Sequence, residues 1–219
     1  MQFNLQSLVS IFTGAIIMRD SYLRQQKDRL LKPLVEQGFG RIHPTTVSLV
    51  AAGVGLLAAG AGWQQFYATG LLLWLLNRTL DGLDGLVARV HGKQSDFGGY
   101  LDLFLDFVIY LAVPTALVAA QPTATHLWAL AALLASFCLN TMSWMGLSTL
   151  LEKRQKQTVN RLTSMEMPTG LIEGAETILF FGLFYLFPSY LAQLYLLMAV
   201  LVLFSVGQRL WWAYFHLPR

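Results

Sequence analysis

The stretch "DGLDGLVARVHGKQSDFGGYLDLFLD", Asp81 to Asp106, sets four aspartates and an arginine inside a chain that otherwise reads as membrane-embedded. An ionised aspartate in hydrocarbon costs about 2.5–3.5 kcal/mol on insertion scales, so Asp81, Asp84, Asp102 and Asp106 must face inward and meet counter-charge or water. Asp81, Asp84, Gly85 and Ala88 recur at the spacing that places them on one face of a helix. Gly98, Asp102 and Asp106 follow at i, i+4 and i+8, a second stripe of carboxylates and bare backbone. Gly92 and the polar run "HGKQSD" break the first helix, and the next is predicted to start near Gly98 or Gly99. Antiparallel neighbours with so short a connection bring the two stripes together.

Working outward, 55% of the 219 residues are hydrophobic and only 12% charged, which excludes an ordinary soluble domain. Apolar stretches near 45–63, 65–81, 99–120, 125–148, 170–187 and 190–214 predict an all-α integral membrane protein of six transmembrane helices. Lysines and arginines gather in the N-terminal segment, around Arg78 to Lys93, between Lys153 and Arg161, and at Arg209 and Arg219. With six spans these places fall on one side, so the positive-inside rule puts both termini and the 81–98 connection in the cytoplasm. Residues 1–42 read as one or two amphipathic helices on that membrane face, and 43–219 as the six-helix catalytic domain. The net charge of +3 reflects this topology and contact with membrane lipids, and no nucleic-acid motif is present. Cys138 is alone and belongs to no disulfide or metal site.

Four facing carboxylates repel one another unless cations lie between them. Oxygen donors without histidine or cysteine select Mg²⁺, Mn²⁺ or Ca²⁺, and four carboxylates suit a pair of ions. Paired divalent ions stabilise attacking and leaving oxygens in displacement at phosphorus. Arg89, one turn beyond Gly85, is placed to contact a phosphate, while Gly85 and Ala88 leave room for a nucleotide against backbone.

These residues match Asp-x2-Asp-Gly-x2-Ala-Arg-x8-Gly-x3-Asp-x3-Asp at every fixed position: Asp81, Asp84, Gly85, Ala88, Arg89, Gly98, Asp102 and Asp106. The stretch resembles the CDP-alcohol phosphotransferases, integral membrane enzymes of phospholipid synthesis. That resemblance implies transfer of a substituted phosphate from a CDP-linked donor such as CDP-diacylglycerol to a small polar alcohol, with release of CMP and dependence on Mg²⁺ or Mn²⁺. It further implies Asp81, Asp84, Asp102 and Asp106 as metal ligands, Asp106 also as the general base, and Gly85, Ala88, Arg89 and Gly98 as nucleotide and phosphate contacts. The family tends to open its first span with Pro-Asn-x-x-Thr; here Pro44, Thr45 and Ser48 stand in those places, with Thr45 departing from the asparagine.

Glu173 and Glu176 are the other intramembrane carboxylates. Two readings stand: they recognise acceptor hydroxyls, or they pair with Arg154 or Arg161. Arg154, Lys156 and Arg161 either bind an acceptor phosphate or serve as topology signals. Asn77 and Arg78 precede Asp81 by one turn, where they orient a carboxylate or the nucleotide, or anchor a helix end. Gly53, Gly55, Gly60 and Gly62 permit close helix packing, including a homodimer contact. The rival class is a divalent-cation transporter or channel, which requires a polar path through the far half of the helices. The far-side turns lack charge, which disfavours it.

Overall fold

A computed structural model describes residues 43–157, 171–172 and 174–217. The expected interfacial helices of 1–42 lie outside the described residues. All regular structure in the described part is helical: α1 (Pro44–Trp63), α2 (Tyr67–Val90), α3 (Asp96–Ala120), α4 (Ala124–Gln157), α5 (Gly174–Leu186), a 3-10 turn (Pro188–Tyr190) and α6 (Leu191–His216).

The helix ends at the aspartates follow from local chemistry. At α1, Pro44 supplies the fixed φ of a first helical residue, and the His43 ring accepts from the Thr45 N–H at 3.3 Å. At the end of α2, Gly92 takes φ +60° and the Lys93 N–H reaches the Ala88 carbonyl at 2.9 Å, a Schellman stop that only a residue without Cβ adopts cheaply. Ser95 then caps α3, its hydroxyl accepting from the Gly98 N–H at 3.1 Å, so the helix begins at Asp96, slightly ahead of the predicted start.

Four helices are long and apolar enough to cross a membrane, within Pro44–Trp63, Asp96–Ala120, Ala124–Arg154 and Pro188–His216. Of the six predicted spans, the other two differ for identifiable reasons. The 24 residues of α2 suffice in length, but Arg78, Asp81, Asp84 and Arg89 lower its apolarity. The 13 residues of α5 reach only about 20 Å at 1.5 Å per residue, short of a 30 Å hydrocarbon core.

α1 packs along both α2 and α3, α4 runs along α6, and α5 rests on α2. The two aspartate-bearing helices make almost no close backbone contact, because α1 wedges against both. Gly55 and Gly62 make that wedge possible: a Cβ on Gly55 would lie 2.8 Å from Ile109, and one on Gly62 3.0 Å from Leu117. Among the described residues, nothing lies within 4 Å of such a Cβ on Gly53 or Gly60.

The core away from the aspartates is apolar and aromatic. Trp74 stacks on Phe181 with centroids 4.8 Å apart, and Phe184 meets Tyr195 edge-on at 4.6 Å. Buried polar tips are satisfied by backbone: Trp74 Nε1 donates to the Ile178 carbonyl, Tyr185 to Ala58 and Tyr195 to Pro114. Outside, large apolar residues such as Leu72, Trp128 and Met142 are exposed, the expected inversion for a surface solvated by lipid.

Candidate active site

The site grows from one face of α2 and one of α3. Asp81 and Asp84 fall a turn apart on α2, Asp102 and Asp106 a turn apart on α3, and the carboxyls of Asp84 and Asp102 meet across the gap. Ser48 on α1 donates its hydroxyl to Asp84 Oδ2 at 2.5 Å and also reaches the Pro44 carbonyl at 3.3 Å. Ser48 thus ties the first turns of α1 to a carboxylate of α2.

Arg78 fills the centre. Its Nη2 donates to Asp106 Oδ1 at 2.8 Å, Nη1 lies 3.6 Å from Asp81 Oδ2, and Nη1 also donates to the Tyr110 hydroxyl at 3.3 Å. Nε donates to Asn77 Oδ1 at 2.8 Å, and Asn77 Nδ2 donates to the Ala51 carbonyl of α1 at 2.7 Å. The guanidinium carbon stands 4.8 Å from the Trp74 ring centroid and 5.5 Å from that of Tyr110, within cation–π range.

Two cavities adjoin this network. A void of about 10 Å³, near the size of one small ion or water, is lined by Ser48, Asn77, Arg78, Asp81, Asp102 and Asp106 among others. A larger cavity of about 410 Å³ has Tyr110, Asn140, Thr141, Thr177 and Arg209 as its polar lining, among apolar residues of α3, α4 and α6. Arg209 Nη1 donates to Asn140 Oδ1 at 2.5 Å. Tyr110 is common to both neighbourhoods: it walls the large cavity and accepts from Arg78.

The other expected residues are placed as follows. Arg89 Nη1 lies against bare Gly85, 3.3 Å from where a Cβ would stand, so the guanidinium covers the space that glycine leaves. Ala88 is half-buried one turn away. Gly98 is tied to Ser95 in the first turn of α3. Thr45 is half-buried in the first turn of α1. Glu176 stands in the first turn of α5 beside Thr177, which lines the large cavity. Arg154 is half-buried near the end of α4. Glu173 and Arg161 lie outside the described residues.

Sequence reasoning passed over Tyr110, Asn140 and Arg209 as site residues. Arg209 carried a usable signal: it sits within the apolar last helix rather than at its end, and an ionisable residue there points to function. Asn140, an amide inside the apolar run of α4, carried a weaker one.

The donor set fits a hard divalent cation: Asp81, Asp102 and Asp106 line one void and Asp84 adjoins Asp102. Among the described residues, no three acidic, His or Cys side chains converge as they stand into a finished coordination shell. Arg78 spaces Asp81 from Asp106.

Residues 42–211 match the family model described as CDP-alcohol phosphatidyltransferase. The inner membrane protein YnjF of Escherichia coli K12 is 36% identical over 183 residues, covering 80% of this chain and 85% of that protein. Phosphatidylinositol phosphate synthase of Mycobacterium tuberculosis shares the fold at 19% identity. With CDP-DAG bound it superposes with a TM-score of 0.60 over 84% of this chain and 91% of that one. In complex with manganese and citrate it gives 0.62 over 86% and 88%. The motif, the helical bundle around it and these likenesses lead to one conclusion: this chain is an integral membrane protein belonging to the CDP-alcohol phosphatidyltransferase family, the divalent-metal-dependent transferases of phospholipid synthesis.

Proposed function

We propose that this chain transfers a phosphatidyl-type group from CDP-diacylglycerol or a similar CDP-linked lipid to a small polar alcohol at the cytoplasmic end of a six-span bundle. The observation that carries the reading is the meeting of the α2 and α3 carboxylates around one void, while Tyr110, which accepts from Arg78, walls a cavity large enough for a small polyol. The fold-sharing M. tuberculosis enzyme, known with CDP-DAG and with manganese, supports the same donor and metal class here.

Asp81, Asp84, Asp102 and Asp106 would hold the divalent ions, two by their number, which when bound offset charge on the donor phosphates. Asp106 accepts the proton of the acceptor hydroxyl. The acceptor oxygen forms a bond to the β-phosphorus as the bond from that phosphorus to the bridging oxygen breaks, and CMP departs with that oxygen. Gly85 leaves room for the Arg89 guanidinium, which neutralises a donor phosphate, and Ala88 lets the nucleotide approach the helix. The acceptor occupies the larger cavity, where Arg209, Asn140 and Thr177 present donors to its hydroxyl or phosphate groups. The apolar outer surface lets the lipid donor enter sideways, and the clustering of basic residues on one side supports the cytoplasmic placement.

The test is to supply purified protein with Mg²⁺ or Mn²⁺, CDP-diacylglycerol and single alcohols in turn: glycerol 3-phosphate, inositol, inositol 1-phosphate and serine. CMP release that depends on one of them names the acceptor. Absence of CMP with every CDP-linked donor, together with cation flux in vesicles, would instead support transport. The described core beyond the aspartates argues against that outcome, since Leu117, Val118, Leu133, Leu191 and Tyr195 fill it without a charged path.

A further inference from the structure

Arg78 makes direct ion pairs with two of the four aspartates, and nothing in the matched motif requires it. It is sealed in more tightly than its partners: its side chain is 7% exposed, against 26% for Asp81 and 24% for Asp106. Every donor edge of the guanidinium is engaged. Nε is taken by Asn77, Nη2 by Asp106, Nη1 by Tyr110 and, more distantly, Asp81. Trp74 and Tyr110 contact the group as rings, and Asn77 is itself anchored to the α1 backbone through Ala51. Such a group has no freedom to swing toward a substrate. It can hold whatever it touches.

We propose that Arg78 is a positioning residue: it clamps Oδ1 of Asp106, so that Oδ2 is the oxygen presented to the reacting hydroxyl, and it acts as a resident monovalent counter-charge for the cluster. The proposal rests on the reading of Asp106 as general base. Two consequences follow from the geometry. Loosening the clamp slows proton transfer, because an unheld carboxylate samples unproductive orientations. Removing the charge strengthens divalent-cation binding, because a repelling unit charge within a few ångströms of the carboxylates has gone. A residue that merely stabilised the fold would shift both quantities downward together.

The experiment uses the full chain in detergent micelles. Free Mn²⁺ is titrated by its electron paramagnetic resonance signal without donor, CMP release is measured with donor and acceptor, and melting temperature monitors folding. Arg78→Met should lower kcat by about 10²-fold while leaving the donor KM within about twofold, and should bind Mn²⁺ about tenfold more tightly. Arg78→Lys keeps the charge but cannot replace the planar fork that engages Asn77 and Asp106 at once. It should fold as the unaltered protein does, keep its Mn²⁺ affinity and lose about tenfold in kcat. Combining Arg78→Met with Asp106→Asn should cost no more turnover than Asp106→Asn alone.

Unchanged kcat in a folded Arg78→Met protein, Mn²⁺ affinity that falls alongside kcat, or full activity in Arg78→Lys would each overturn the proposal. The underlying reading fails differently. Full activity in Asp106→Asn would remove the base and the proposal with it, whereas an inactive Asp106→Asn beside a normal Arg78→Met would overturn the proposal alone.

Discussion

The side chains of Arg78 and Arg209 are both enclosed and both donate to an asparagine. They differ in what surrounds the pair. Arg78 borders a void of about 10 Å³ and is held by two carboxylates, an amide, a hydroxyl and two rings. Arg209 borders about 410 Å³ of space, with Asn140, Thr141 and Thr177 around the same cavity. The same side chain thus has two settings: one arginine is engaged on every edge by groups of the protein, and the other lines a space where a small molecule fits. Tyr110 touches both settings, accepting from Arg78 and walling the cavity that Arg209 lines.

The largest expected effect breaks the enclosed side. Asp106→Asn removes the proposed base while keeping shape, and should reduce CMP release by about 10³-fold, in the range for loss of a general base. CDP-diacylglycerol binding, followed by equilibrium dialysis, should change little. Full turnover in the variant would show that the proton leaves by another route. The next effect belongs to the open side. Arg209→Met should raise the acceptor KM about tenfold through loss of a charge-assisted hydrogen bond, with the donor KM unaffected. A fall in kcat with unchanged acceptor KM would move Arg209 out of the acceptor pocket and into the reacting centre.

How much of this contrast was readable beforehand follows from which interactions are local. The two aspartate stripes were legible because helical periodicity fixes them: Asp81 with Asp84, and Asp102 with Asp106, are each a single turn apart. The stop at Gly92 was legible for the same reason, since positive φ there is a property of a few consecutive residues. The packing of α1 against both aspartate-bearing helices was not. Gly55 against Ile109 and Ser48 on Asp84 join residues far apart in sequence, and no period encodes such a meeting. Local spacing left Arg78 to orient Asp81 one turn along its own helix, to meet the nucleotide, or to anchor a helix end. Asp106 on α3 takes the shorter bond, at 2.8 Å against 3.6 Å, because that carboxylate comes from across the gap. The brevity of α5 was hidden by the apolar residues preceding it, which extended the predicted span to 170–187.

The smallest effects test the packing beside each space, and two glycines supply a matched pair. A Cβ on Gly55 would stand 2.8 Å and 2.9 Å from Ile109 side-chain carbons and 3.0 Å from Asn77 Nδ2. Gly55→Ala therefore presses on the amide that anchors Arg78 as well as on a core residue. Overpacking of this kind costs about 1–3 kcal/mol, and the helical gain of alanine over glycine returns up to about 1 kcal/mol. A net loss of about 1–2 kcal/mol should appear as a lower melting temperature in detergent. Gly174 lines the large cavity, and among the described residues nothing lies within 4 Å of a Cβ there. Gly174→Ala should leave stability within about 0.5 kcal/mol of the unaltered protein. Equal tolerance at both positions would mean that α1 yields easily over Asn77, and a clamp on a yielding support would not hold Asp106 to one oxygen.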